Sequence, residues 1–402
     1  MANSIGLKTE PVEGKTMDHL MTDEQRMLLD SLKAFMDQEL YPHEVEVDRA
    51  GEVPAELGER IATRAKEMGF YAFNLPEAVG GGGLDNATRA LFERQLGKTT
   101  HALHEFVGRP TEILMACAGD QIERYLTPCV TGERTECFAL TEPGAGSDIM
   151  SMQTRARADG DDWIINGTKH FISCVKEPDF AIVFAATGVD ETPKGERKRV
   201  TAFLVDVGTE GFDIRRGPRP VSQRAYKNFV LSFDDVRVPA SQILGEEGKG
   251  LELANKWLGM GRVWVAAGCC GKTERLLDLA IEWAATRVQF GQPIGRFQGT
   301  GFKLADIATE LRAGDLLVSD AARKADAGQM SPDDAAMAKL FCSEMLGRAA
   351  DHTMQIYGGM GLMEDLPVER LWRDARLERI WDGTSEVQRH IISRSLLRPH
   401  GA

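Results

Sequence analysis

Long apolar runs are missing from this chain of 402 residues. No segment therefore crosses a bilayer as a helix, because a span needs about 20 consecutive apolar residues. The first 21 residues also lack the apolar run of a secretory signal; polar, with Pro11 and Gly14, they read as a loose head. Cysteine is scarce. The seven present have neither metal-ligand nor disulfide-framework spacing, so no metal is expected. The Cys269-Cys270 pair reads as buried helix, and a reducing, cytoplasmic setting is expected. An excess of positive charge is absent too. The formal net charge of −13 argues against nucleic acid as a partner. It leaves room for a small anionic ligand, since a few local arginines decide that. Internal repeats and low-complexity tracts are absent. What remains, 43% hydrophobic and 27% charged residues, is the balance of a globular protein too long for one core.

The order of patterns divides the chain. Thr22-Asp23-Glu24-Gln25 fits a capping box, opening a helix that carries Leu28, Leu32, Phe35, Met36 and Leu40 on one face and ends at Pro42. Helical periodicity returns near 54–67, 87–96 and 112–125. The glycines at 80–83 are not followed by the lysine and hydroxyl of a P-loop, so they read as a flexible turn. The texture changes near Thr135. Residues 155–158, the turn Gly160-Asp161-Asp162 and residues 163–165 read as strand, turn, strand; Asn166-Gly167 marks another tight turn before Phe171-Ile172-Ser173. Further strands are predicted at 181–186, 200–207 and 229–238. From about Leu251 the stripe Leu276, Leu277, Ala280, Ile281 and Ala284 and two later ones, at 305–317 and 335–349, predict a helical bundle. The fold class expected is α+β: a head at 1–21, a helical domain at 22–134, a β-domain of barrel or sandwich type at 135–248 and a helical bundle at 249–402.

Two stretches carry chemistry. In Ile380-Trp381-Asp382-Gly383-Thr384-Ser385-Glu386-Val387, a carboxylate stands between bulky apolar residues and a glycine, ahead of a helical pattern. An aspartate in an apolar pocket has its charged form disfavoured, which raises its pKa toward the range useful to a general base. The alternative is an ordinary N-cap aspartate at the head of the last helix. The second stretch, Ala139-Leu140-Thr141-Glu142-Pro143-Gly144-Ala145-Gly146-Ser147-Asp148, is a glycine-rich turn with hydroxyls at both ends, suited to an anion or a polar ring edge.

This second stretch resembles the acyl-CoA dehydrogenases, as do Gln355-Ile356-Tyr357-Gly358-Gly359-Met360-Gly361 with Pro367-Val368-Glu369-Arg370, Phe233-Asp234-Asp235-Val236-Arg237-Val238-Pro239 and Arg287-Val288-Gln289-Phe290-Gly291. The resemblance covers about 22–397. It implies a bound FAD, an acyl-CoA substrate, an electron-transfer flavoprotein as acceptor and a homotetramer built as a dimer of dimers. Thr141 would meet the flavin pyrimidine edge and Ser147 the pyrophosphate near the thioester, with Phe138, Leu140 and Gly146 beside them. Phe171 and Ser173 match positions flanking the flavin ring, where the family usually has Trp and Thr. Arg287, Phe290, Gln298, Gln355, Gly358 and Gly359 match positions that reach the FAD of a neighbouring subunit; Thr384 and Glu386 complete the cofactor set.

The same resemblance implies that Asp382 removes an α-proton while hydride passes from the β-carbon to flavin N5. Many members carry Glu there; others have it at the position of Gly261, which cannot serve. The shorter side chain withdraws the carboxylate by about one ångström. Nitroalkane oxidases look like this family and use Asp, so that reading stays open, as does a flavoprotein scaffold without turnover. Arg262 matches an arginine that contacts CoA, whereas Gly259 and Gly261 replace polar residues that usually help to hold it; Ser147 and Gly383 complete the substrate set. His101, Glu105 and Arg109 fall in the segment that lines the acyl cavity floor in the family. Charge there suits a short or polar acyl group. Alternatively, Glu105 and Arg109 simply pair with each other on a helix surface.

Overall fold

A computed structural model of the protein describes residues 21–192 and 195–400, so the expected head lies outside the described residues up to Leu20. Helix α1 (Asp23–Glu39) opens on a complete capping box: the Thr22 hydroxyl accepts from the Gln25 amide, and the Gln25 side chain accepts from that of Thr22. Leu32, Phe35 and Met36 are buried at helical spacing. After the Pro42 turn come α2 (Glu44–Ala50), α3 (Ala55–Glu67) and α4 (Asn86–Leu96). The glycines at 80–83 form a packed turn rather than a flexible one. Gly81, Gly82 and Gly83 donate to Pro76, Ala72 and Leu75 carbonyls at 2.9 to 3.1 Å, and a Cβ on Gly81 would lie 2.2 Å from the Leu75 carbonyl oxygen.

The helix predicted across 112–125 is broken. A short α5 (His101–His104) is followed by two 3₁₀ turns; Gly119 then takes a φ of +54, and the helical run that starts after it, π-helical over Ile122–Leu126, continues into α6 (Thr127–Thr131).

Strands β1 (Glu136–Ala139), β2 (Arg155–Asp159), β3 (Asp162–Cys174), β4 (Phe180–Thr192), β5 (Gly195–Asp206), β6 (Phe212–Arg216), β7 (Lys227–Pro239) and β8 (Ile243–Leu244) form one sheet. Its order is β6-β7-β3-β2-β4-β5-β8, with β1 parallel to β4. The expected turn at Gly160 joins β2 to β3, with Asp159 opposite Asp162. The turn expected at Asn166-Gly167 does not exist. Strand β3 runs through it, and its register against β7 shifts there instead. Asn166 exchanges two hydrogen bonds with Asp235 at 2.9 and 3.0 Å, so the Asn-Gly signal belongs to a bulge.

The remainder is helical: α7 (Gly250–Thr286), a small hairpin of β9 (Val288–Gln289) and β10 (Gln292–Pro293), then α8 (Gln298–Asp326), α9 (Pro332–Tyr357), α10 (Pro367–Glu378) and α11 (Ser385–Leu397). Val263, Ala267, Leu311, Met345 and Ala349 belong to the core between these helices, and Leu32, Phe35, Phe73 and Phe92 to that of the first ones. Helices α4 and α7 meet so closely that a Cβ on Gly97 would lie 2.5 Å from Gly268 Cα. Beside that contact Arg94 reaches Glu274 at 2.9 Å and Asp315 at 2.7 Å, and Arg275 reaches Glu44 at 2.7 Å. These buried pairs tie the first helices to the last. All seven cysteines are buried free thiols, including the helical Cys269-Cys270 pair.

Candidate active site

Asp382 lies in the loop between α10 and α11, and it does not cap α11. That position belongs to Thr384, whose hydroxyl accepts from the Val387 amide at 3.3 Å. Asp382 takes a φ of +51 and Gly383 one of +93, two left-handed residues in succession. For a residue with a Cβ this costs about 1–3 kcal/mol and persists only where the surroundings impose it. Here Lys339 of α9 donates to the Trp381 carbonyl at 2.8 Å and the Gly383 carbonyl at 2.6 Å. The Gln388 amide donates to the Gly383 carbonyl at 2.8 Å. The Trp381 indole donates to Glu378 at 2.7 Å, and Glu378 in turn holds Lys272 at 2.8 Å.

Burial raises the pKa of Asp382 above the usual aspartate value; Lys339, Arg109 and Arg262 pull it back, Glu378 pushes it up, and the net shift is upward. Such a carboxylate is a stronger base than an exposed aspartate. Arg262, on α7, is held below its ordinary pKa by burial, and its Nε is buried with no hydrogen-bond partner among the described residues. Nothing stands within 4 Å of a Cβ built on the neighbouring Gly259 or Gly261, so the space beside Arg262 is open.

The segment at 101–109 faces the same loop. The His101 ring packs edge-on against Trp381 at 5.1 Å and Tyr226 at 4.6 Å between centroids. His101 Nε2 lies 3.1 Å from Glu105 Oε1. Glu105 and Arg109 do approach each other, at 3.7 Å, but the surface pair on a regular helix is not what forms. Arg109 makes its shorter contact, 3.0 Å, to the buried Glu93 of α4, and the backbone between the two residues is a 3₁₀ turn. Burial pushes the Glu105 carboxyl up, but His101 and Arg109 outweigh it and bring it to about 2. Burial holds His104 well below the ordinary histidine value, and its Nε2 has no hydrogen-bond partner among the described residues.

The glycine-rich turn is fixed from beneath. Buried Lys169 donates to Glu142 at 2.8 Å and to the Leu140 carbonyl at 2.9 Å, while Glu142 accepts the amides of Gln153 and Thr154. Above, Gly146 and Ser147 are exposed, and a Cβ built on Gly144 or Gly146 would meet nothing within 4 Å. Phe171, with a φ of +56, is 62% exposed, and Ser173 stands on the same side of β3. An exposed aromatic next to an open, donor-rich turn suits a planar group that carries phosphate. Phe138 turns the other way, its ring 4.4 Å from that of Trp257. Thr141 is half-buried, and its carbonyl accepts from the His170 amide at 2.9 Å.

Arg287 ends α7, Phe290 sits at the tip of the small hairpin, Gln298 opens α8, and Gln355, Gly358 and Gly359 lie where α9 ends. All are exposed, Phe290 at 94%. Glu386 is exposed in the first turn of α11, and the Thr384 hydroxyl is occupied by its cap.

Sequence reasoning passed over Glu93, His104, Tyr226, Lys339 and Gln388. Lys339 had a legible signal, since it falls on the stripe of Ala335, Ala336, Cys342 and Leu346. Tyr226 had none, because the fold brings it in from a loop beyond β6.

Profiles of three family domains match in chain order: the acyl-CoA dehydrogenase N-terminal domain at 22–133, the middle domain at 137–236 and the C-terminal domain at 248–397. The short-chain specific acyl-CoA dehydrogenase, mitochondrial, of Homo sapiens is 35% identical over 385 residues, 94% of this chain and 92% of that one. The caffeyl-CoA reductase-Etf complex subunit CarC of Acetobacterium woodii is 34% identical over 383 residues, 94% of this chain and 99% of its own. The solved structure of butyryl-CoA dehydrogenase from Megasphaera elsdenii superposes with a TM-score of 0.84 at 35% identity, covering 94% of this chain and 99% of that chain.

Proposed function

The chain belongs to the acyl-CoA dehydrogenase family, and from there we propose that it desaturates a short or polar acyl-CoA thioester with Asp382 as the base. It is a flavin-dependent oxidoreductase, and FAD is its cofactor. The observation that carries the reading is Asp382 itself: relieved of capping, held in a left-handed conformation and made more basic by burial.

FAD, when bound, supplies the acceptor for the β-hydride. The open turn at Gly146 and Ser147, with Leu140, Thr141, Phe171 and Ser173, fits that cofactor, and Phe138 backs it from the interior side. The exposed Arg287, Phe290, Gln298, Gln355, Gly358 and Gly359 suit contact with the cofactor of a neighbouring subunit in a homotetramer. Asp382 takes the α-proton onto a carboxylate oxygen. Arg262, with an unpartnered buried Nε, suits the anionic arm of CoA, which approaches the chain beside Gly383. Thr384 supports the loop through its cap, and Glu386 gives the first turn of α11 a negative charge. The acyl end meets His101, Glu105 and Arg109. A long alkyl tail would strip water from these charges at a cost that a polar group avoids. An electron-transfer flavoprotein is the acceptor that best fits this chemistry.

The test is anaerobic bleaching of the yellow holoenzyme by a panel of acyl-CoA thioesters and, separately, by nitroethane. Rapid bleaching is expected with short or polar thioesters and none with nitroethane. Bleaching by nitroethane alone would move the protein to the nitroalkane oxidase reading. A profile peaking at long saturated chains would overturn the acyl assignment, and silence from every compound would leave a flavoprotein without turnover.

A further inference from the structure

Lys339 lies in the N-terminal third of α9 with no exposed surface. A buried ammonium is costly unless it is fully engaged. Most buried lysines meet a carboxylate, as Lys272 meets Glu378 at 2.8 Å and Lys169 meets Glu142 at 2.8 Å. Lys339 makes no salt bridge among the described residues. It donates instead to two backbone carbonyls, those of Trp381 and Gly383, at 2.8 and 2.6 Å.

These are the carbonyls on either side of Asp382. The Trp381 carbonyl belongs to the peptide before Asp382 and the Gly383 carbonyl to the peptide after Gly383, so the two bonds bracket the Asp382-Gly383 pair, whose conformation is a left-handed one that an aspartate avoids unaided. Gln388, also fully buried, takes the carbonyls of Gly383 at 2.8 Å and Asp382 at 3.4 Å. All three successive carbonyls of the loop are thus held from α9 and α11.

We propose that Lys339 is a positioning residue for the base: its ammonium clamps the Asp382-Gly383 turn, holding the peptide before Asp382 and the one after Gly383, and keeps the carboxylate both aimed and ionised. This rests on the reading of Asp382 as the base. The electrostatics agree in sign. Lys339 is the strongest of the charges that lower the pKa of Asp382; Arg109 and Arg262 act the same way, Glu378 opposes them, and the Tyr226 phenol faces the same carboxylate. Lys339 itself is lowered by burial and also by Arg262, while Asp382, Cys269 and Glu378 support its charge. A surface lysine in the same helix would do neither job, since solvent would screen it.

The experiment reads proton abstraction alone. Holoenzyme is incubated anaerobically with a saturated acyl-CoA in D₂O. The carboxylate takes the α-proton, becomes a carboxylic acid, exchanges with solvent and returns a deuteron to the α-carbon, so the thioester gains mass. For Lys339→Met, exchange and kcat should fall about 100-fold through misplacement of the base. The acid limb of the exchange rate should rise by about one pH unit through loss of the charge. KM and FAD content should stay within about twofold, because uniform binding is untouched. Lys339→Gln, which keeps one donor without the charge, should fall between Lys339→Met and wild type in rate and share the raised acid limb. Asp382→Asn is the control. Full exchange in Asp382→Asn sinks the base reading itself. Lost exchange in Asp382→Asn with an unmoved rate and acid limb in folded Lys339→Met or Lys339→Gln overturns the role of Lys339 alone. Loss of FAD or of the fold in both lysine variants makes Lys339 a residue of stability, and that too overturns the assignment.

Discussion

Thr384 accepts the Val387 amide and thereby leaves Asp382, two residues upstream, with no helix to cap. The two residues do separate work, and substitutions should separate it. Thr384→Ala removes an N-cap and should cost about 1 kcal/mol of stability. Asp382→Gly should raise stability by about 1 kcal/mol, because it relieves the left-handed conformation and removes a carboxylate whose charged form burial disfavours. It should also abolish turnover. Thermal unfolding of the FAD-loaded variants checks this; a drop in Tm for Asp382→Gly comparable to that of Thr384→Ala contradicts it.

The pH dependence of turnover follows from the same carboxylate. Its folded pKa is raised, and the ionised form is the working one, so kcat should fall on acidification at a pH above that at which a free aspartate titrates. Arg109 lowers that pKa. Arg109→Gln should therefore move the acid limb of the kcat profile further up, and an acid limb that moves down would be incompatible with Asp382 as base.

Stability on acidification should depend on Glu274. Burial pushes its carboxyl up, but Arg94 and Lys98 bring it down to about 2, well below the unfolded value. A depressed carboxylate contributes stability above its unfolded pKa and loses it as the pH falls toward its folded one. Glu274→Gln should cost about 3–5 kcal/mol at pH 7, since it leaves Arg94 and Lys98 short of a buried partner. The deficit should shrink below about pH 4.5. Denaturant titration at pH 7 and pH 3 measures it, and an equal deficit at both values would rule out the ion pair as its source.

The helix, sheet, helix order was legible because periodicity changes period twice along the chain, and the capping box at Thr22 marked its helix correctly. The errors share a cause. Asn166-Gly167 carries hairpin residues, yet pairing with β7 on its far side pulls the segment into a bulge. At 112–125 the apolar spacing is helical, but Gly119 turns the backbone where periodicity has no say. Around the candidate site, the loop at 380–389 stood out because a carboxylate stands there between apolar bulk and a glycine, whereas the segment at 101–109 was marked by the family resemblance alone. The partners of both did not stand out. Glu93 sits on a helix whose burial is decided by neighbours far along the chain, so a local window reads it as a solvent-facing charge. Lys339 falls on an apolar stripe, but nothing local says that its ammonium reaches the carbonyls of Trp381 and Gly383.

The seven buried thiols give the molecule an internal record of its own breathing. Burial pushes Cys117 up to about 12 and raises Cys269 above the ordinary thiol value. The hydrogen bond with Cys342, with burial, raises Cys270; Cys342 is pulled down by that hydrogen bond but raised by burial, and its net shift is upward. These four therefore offer an alkylating agent almost no thiolate, and burial closes all seven to it. Each label acquired under native conditions then marks an opening event. Cys117 and Cys129 report on the first helices, Cys137 and Cys174 on the sheet, and Cys269, Cys270 and Cys342 on the bundle. The order in which they react ranks the three regions by how readily each comes apart.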